Sequence, residues 1–128
     1  MAQGYLLDSN VIIGYLAAKI PSPGMEKIST IVDQIPNISV ISQIEVLRFN
    51  DTIENEKILA DFINASVIYT LNTGIVRRTI ELCKQIKIKL PDAIIAATAL
   101  SENFILVTRN IEDFINIHGL ELYNPWET

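Results

Sequence analysis

KLPDAIIAATALSENFILVT (residues 89–108) is the stretch on which the reading of the fold turns. From Ala93 to Leu100 it carries only small and apolar residues with one threonine, which predicts a helix built to be buried. FILVT (104–108) comes at once after it as a short apolar run, which predicts a buried strand. Asp92 stands at the head of this stretch as its one early acid. Pro91 reads as the first residue of the helix, and an acid in the first turn gains about 0.3–1 kcal/mol from the helix dipole. Taken alone, that accounts for Asp92. A second role requires other acids at the same place.

Outward from this stretch the chain alternates. YLLD (5–8), ISVIS (38–42), SVIYTL (66–71), FILVT (104–108) and GLELYN (119–124) read as strands. Between them NVIIGYLAAK, MEKISTIVDQI, QIEVLRF, ENEKILADFINA, TGIVRRTIELCKQIKIK (73–89) and PDAIIAATALSEN have helical spacing. IPSPG (20–24) breaks the first helix from the second. NIEDFINI (110–117) predicts a further short helix. Near-continuously apolar strands alternating with helices predict a three-layer α/β/α sandwich around a mainly parallel sheet of about five strands.

The 128 residues predict a single domain (1–128), and 49% apolar with 20% charged residues excludes a disordered chain. A net charge of −5 argues against coating nucleic acid by bulk electrostatics. Cys83 is the only cysteine, so an internal disulfide and a cysteine metal cluster are both ruled out. His118 is the only histidine and lies in a turn-like stretch, which removes two-histidine ribonuclease chemistry and histidine-rich zinc sites. No uncharged stretch approaches the ~20 apolar residues that span a bilayer, and no basic leader precedes Asp8. A cytoplasmic protein without membrane attachment is expected.

In a parallel sheet, ligands bind beyond the carboxyl ends of the strands. Four acids are expected there. Asp8 closes the first strand, Glu45 lies in the first turn of the helix after the second, Asp92 heads its helix, and Asp113 comes just after the fourth strand. Each has an ordinary explanation: Ser42 to Glu45 has the form of a capping box, Asn110 to Asp113 that of a cap, and Asp8 caps the first helix. Gathered together, like charges raise one another's pKa values, and a cation relieves them. With only oxygen donors available, a hard ion is expected, Mg²⁺ with Mn²⁺ able to stand in.

LLDSNVII, SQIEVLRF, LPDAIIAATAL and VTRNIEDF resemble, in order and over essentially the whole chain, the four motif blocks of PIN-domain nucleases. The similarity is greatest to the VapC-type toxins of toxin–antitoxin pairs. The resemblance implies that Asp8, Glu45, Asp92 and Asp113 are the catalytic metal ligands. It also implies that Ser9, Asn10, Thr108 and Asn110 orient them and their waters. Relatives often carry Asp where Asn110 stands, so Asp113 ligates either directly or through water. The implied activity is metal-dependent hydrolysis of RNA to 5′-phosphate and 3′-hydroxyl ends, with one or two ions. The implied partners are an antitoxin and a second copy of the chain.

Arg109 beside the fourth block, and Arg77 and Arg78 with Lys84, Lys87 and Lys89, are the candidate RNA contacts, set against a plainly solvated helix face. Two other acidic-pocket folds match less well. A receiver domain needs paired acids after the first strand and a late Lys. A haloacid-dehalogenase-like phosphatase needs Asp where Asn10 stands. The non-enzymatic alternative is a PIN-like scaffold or interaction module.

Overall fold

The computed structural model describes residues 3–127. Strands β1 (Tyr5–Leu7), β2 (Asn37–Ser39), β3 (Val67–Tyr69), β4 (Ile105–Val107) and β5 (Leu122–Tyr123) form one sheet in the order β3-β2-β1-β4-β5. Every neighbouring pair is parallel. The helices are α1 (Ser9–Leu16), α2 (Gly24–Asp33), α3 (Val40–Leu47), α4 (Ile53–Asn64), α5 (Thr73–Gln85) and α6 (Leu90–Glu102).

Alternation along the central strands divides the core in two. Leu7 and Val107 point to one face, where Val11, Ile12, Ile28, Ile31, Val46, Leu59 and Ile63 of α1 to α4 meet them. Leu6 and Leu106 point to the other, against Ile75 and Leu82 of α5 and Ile95, Ala96 and Ala99 of α6. The three-layer sandwich expected from the pattern is therefore present, with a fully parallel sheet. Most of the inner face of α6 is alanine, all of it buried, which brings its backbone close to the sheet and carries its first turn to the strand ends.

Three boundaries differ from the sequence pattern. β2 ends at Ser39, and Val40 and Ile41 already belong to α3, because the Ser39 hydroxyl accepts from the Ser42 backbone N–H and starts the helix there. Capping overrides the β-propensity of that run. α5 stops at Gln85, and residues 86–89 form a connection that delivers Lys89 as the N-cap of α6. NIEDFINI is only a 3₁₀ turn at Ile111–Asp113, for Asn110 supplies no side-chain cap.

The sheet winds outward from β1 to β3 on one side, then returns across to β4 on the other. The crossover point lies between β1 and β4, whose residues pair Tyr5 with Ile105, Leu6 with Leu106 and Leu7 with Val107. Beyond β5, a 3₁₀ turn at Pro125–Glu127 docks on α2. Glycine makes that contact close: a Cβ at Gly24 would fall on the Pro125 carbonyl, and one at Gly14 would lie 2.7 Å from the Trp126 ring. Because a backbone carbonyl cannot rotate away, Gly24→Ala is expected to destabilise the fold by about 1–3 kcal/mol. Urea unfolding checks this, and an unchanged midpoint would contradict the tight seating of the C-terminal turn.

Candidate functional site

Asp8 leaves β1 at the crossover point and Thr108 leaves β4 beside it, with the Asp8 backbone N–H donating to the Val107 carbonyl at 2.9 Å. The Asp8 carboxylate is enclosed, only 6% exposed. Its Oδ1 accepts from the Ser9 N–H at 2.8 Å. Its Oδ2 accepts from the Thr108 hydroxyl at 2.8 Å and the Asn10 amide at 3.3 Å. Burial pushes its pKa up to about 6; the bonds from Thr108 and Ser9 oppose that rise, and the charges of Glu45 and Asp92 add to it.

The other acids approach from separate elements. Glu45 lies in the second turn of α3, not the first, since that helix starts at Val40; the capping box at Ser42 does not form. Its Oε1 accepts from the Ser9 hydroxyl at 3.1 Å. Asp92 is the third residue of α6 and partly buried. Its pKa is raised by burial first, then by Asp113, with Lys89 opposing and Glu45 adding a smaller push. Asp113 is exposed on the 3₁₀ turn after β4. Asp8 and Asp113 follow the ends of β1 and β4, Glu45 lies on the helix after β2, and Asp92 heads the helix that leads into β4, so the elements bring all four toward the carboxyl edge of the sheet.

The flanking residues have definite work. Asn10 divides its amide between Asp8 and the Arg109 N–H, which donates to its Oδ1 at 3.1 Å. Thr108 donates to Asp8 and accepts from the Asn110 N–H at 3.1 Å. The Arg109 guanidinium lies over the Trp126 ring, 4.8 Å from its centre, and the Asn124 amide donates to the Arg109 carbonyl at 3.4 Å. Asn124 and Trp126 carry no motif that sequence reading could single out; their importance comes from tertiary docking.

A groove of about 690 Å³ opens beside the rim, lined by Lys87, Lys89, Asp92, Glu112, Asp113 and Asn116 among others. Arg77 and Arg78 are exposed on α5 and do not line it. The basic stretch predicted as one helix is thus split, and only its end faces the acids.

The PIN domain family model matches residues 5–120. The chain belongs to the PIN-domain family, which is a family of nucleases. Among solved structures it is similar to a toxin–antitoxin complex from Klebsiella pneumoniae, with 28% identity over 98% of this chain and 100% of that one, and a TM-score of 0.78. It is similar also to VapBC-1 from nontypeable Haemophilus influenzae, with 25% identity, 97% and 98% coverage and a TM-score of 0.78. VapBC2 from Rickettsia felis, bound to a DNA fragment from its promoter, gives 25% identity, 94% and 97% coverage and a TM-score of 0.75. No curated protein matches the chain.

The donor set suits one kind of ion. The rim offers carboxylate, amide and hydroxyl oxygens, and Asp8 is buried among like charges; the ion pair seen among the described residues, Lys57 with Asp61, is remote in sequence on α4. Yet among the described residues no three acids lie at the spacing of direct ligands. Mg²⁺ takes one or two carboxylates directly and reaches others through its waters, so it fits such a rim better than an ion demanding a full protein shell.

The raised Asp8 pKa has a consequence in ion-free protein. The folded state holds this proton more tightly than the unfolded chain, whose carboxyl titrates near the ordinary 3.8. The stabilisation is therefore fully present below that value and is lost as pH rises through about 6. The loss amounts to about 3 kcal/mol. Asp8→Asn removes it, so in EDTA the variant is expected to gain on the wild type progressively from pH 4 to pH 7. Urea titrations at several pH values test this, and a pH-independent gap would refute it.

Proposed function

We propose that this protein is a Mg²⁺-dependent endoribonuclease and the toxin of a toxin–antitoxin pair. The observation that carries the reading is Asp8: a buried carboxylate at the sheet crossover, held by three donors among three further acids. Asp8 serves the fold as the N-cap of α1, but that role does not account for burying it among three further acids, whereas a cation site does. The toxin–antitoxin complexes among its solved relatives support the biological role.

In this reading Asp8, Glu45 and Asp92 would hold the ion, one or two of them directly and the rest through its waters, and Asp113 would join directly or through water. Once bound, Mg²⁺ supplies Lewis acidity toward a phosphate oxygen and makes water acidic enough to attack near neutral pH. The rest falls to the chain. Thr108, Ser9 and Asn10 fix the Asp8 carboxylate, and Ser9 also steadies Glu45. Lys87 and Lys89 give an incoming phosphate backbone two cations beside Asp92. Arg109, at the exit of β4, gives a third.

An antitoxin and a second copy of the chain are the proposed protein partners, in the cytoplasm. Exposed large side chains, among them Ile44, Leu47, Val76 and Ile80, supply apolar surface of the kind such partners cover. No helix of the described residues is long and apolar enough to cross a membrane.

The test compares wild type with Asp92→Asn on single-stranded and structured RNA, in Mg²⁺, Mn²⁺ or EDTA. Wild type is expected to cut only with metal, leaving 5′-phosphate and 3′-hydroxyl ends. The variant is expected to lose on the order of 10²-fold or more in rate. Its stability should stay within about 1 kcal/mol, the scale of a helix-end acid. Absence of cutting on every RNA, together with no effect of divalent ions on thermal stability, would sink the nuclease in favour of the scaffold.

A further inference from the structure

A second, smaller cavity of about 220 Å³ adjoins the rim, lined by Arg109, Asn110, Glu112, Asp113, Asn124 and Glu127. Glu112 and Asp113 border this cavity and the larger groove alike. A strand laid across the acidic rim therefore has the lysine-bordered groove on one side and this pocket on the other. The two differ in chemistry: three of the pocket's side chains are carboxylates and one is arginine.

We propose that this pocket is a base-binding subsite that takes a guanine next to the bond that is cut, a specificity that rests on the nuclease reading above. Three features of the pocket argue for it. The first is a fixed stacking plane, the Arg109 guanidinium. It lies over the ring of Trp126, which is outside the lining and is itself seated against Gly14, where no side chain fits. Both ends of the Arg109 backbone are tied, its N–H to Asn10 and its carbonyl to the Asn124 amide, while the Asn124 Oδ1 accepts from the Trp126 N–H at 2.9 Å. A guanidinium resting on an aromatic ring is flat and weakly hydrated, and bases stack on such planes.

The second feature is the wall. Glu112 and Glu127, the carboxylates not assigned to the ion, repel phosphate but accept hydrogen bonds from the edge of a neutral base. Of the four bases, only guanine presents two adjacent N–H donors on its pairing edge, N1–H and the N2 amino group, matching the two oxygens of one carboxylate. Uracil offers one N–H between two carbonyls, and adenine and cytosine set a ring-nitrogen lone pair against the acid. The third is Asn110, whose side chain caps no helix and can donate to guanine O6.

Two measurements decide the matter. In the first, cut ends of a long RNA are mapped by sequencing for wild type, Glu112→Gln and Glu127→Gln. Guanine is expected to be enriched about tenfold at one fixed position beside the cut. That preference should fall toward the background in the variants while overall cutting persists, a change that general loss of structure does not produce. The second needs no cleavage. Trp126 is the only tryptophan and lies beneath Arg109, which lines the pocket, so its fluorescence reports on the pocket through that contact. Titration in EDTA should show 5′-GMP perturbing it at concentrations about tenfold lower than 5′-UMP. Cutting without base preference, or a guanine preference untouched by both variants, overturns the subsite and leaves the nuclease standing. If no RNA is cut, the nuclease falls, and equal responses to GMP and UMP then overturn the subsite as well.

Discussion

The hydroxyl of Thr108 donates to the carboxylate of Asp8 at 2.8 Å, and the rim is arranged around that bond. A charge taken out of water is costly unless its lone pairs are met, and here the Ser9 N–H, the Asn10 amide and Thr108 meet them. The bond exists because β1 and β4 run side by side in register, so that their next residues abut. Its effects spread from there. Thr108 also receives the Asn110 N–H, which starts the turn carrying Asp113. Asn10 passes the same constraint to Arg109, and Asn124 passes it to Trp126.

Much of this is legible in the chain, and the departures have physical causes. The alternation of buried strands with amphipathic helices announces a parallel sheet, and such a sheet announces the edge where Asp8, Glu45, Asp92 and Asp113 gather. The end of β2 is hidden because Val40 and Ile41 look like strand, while one hydroxyl, that of Ser39, commits them to helix. That shift moves Glu45 from a capping position to the second turn, which makes its ordinary explanation weaker than its sequence suggests. The reach of Lys87 and Lys89 is visible only as a run of charge, because where α5 stops depends on what packs beneath it. Trp126 is silent: nothing local distinguishes a tryptophan seated on a glycine of a distant helix from one left on the surface.

Asp92 shows how one residue satisfies two demands. As the third residue of α6 it lies where the helix dipole favours an anion, and that favour opposes the burial and repulsion that raise its pKa. The alanines behind it bring the helix onto the sheet closely enough for its end to reach the rim. A bulkier inner face would hold the same carboxylate farther out. The spacing of small residues in that stretch is therefore part of the site, although none of those residues touches it.

The order of the strands also sets a timetable. Asp8 and Thr108 stand 100 positions apart, and the central strand β1 must wait for β4 before its second edge is paired. Contacts so distant in sequence form late, after most of the loop-closure entropy has been overcome. A ribosome that has released the chain as far as the end of α6 has released Asp8, Glu45 and Asp92, but not the strand that holds Asp8 in place. A nascent chain at that stage carries three acids of the rim without the strand that fixes them, so the rim is assembled only once β4 has emerged and paired with β1.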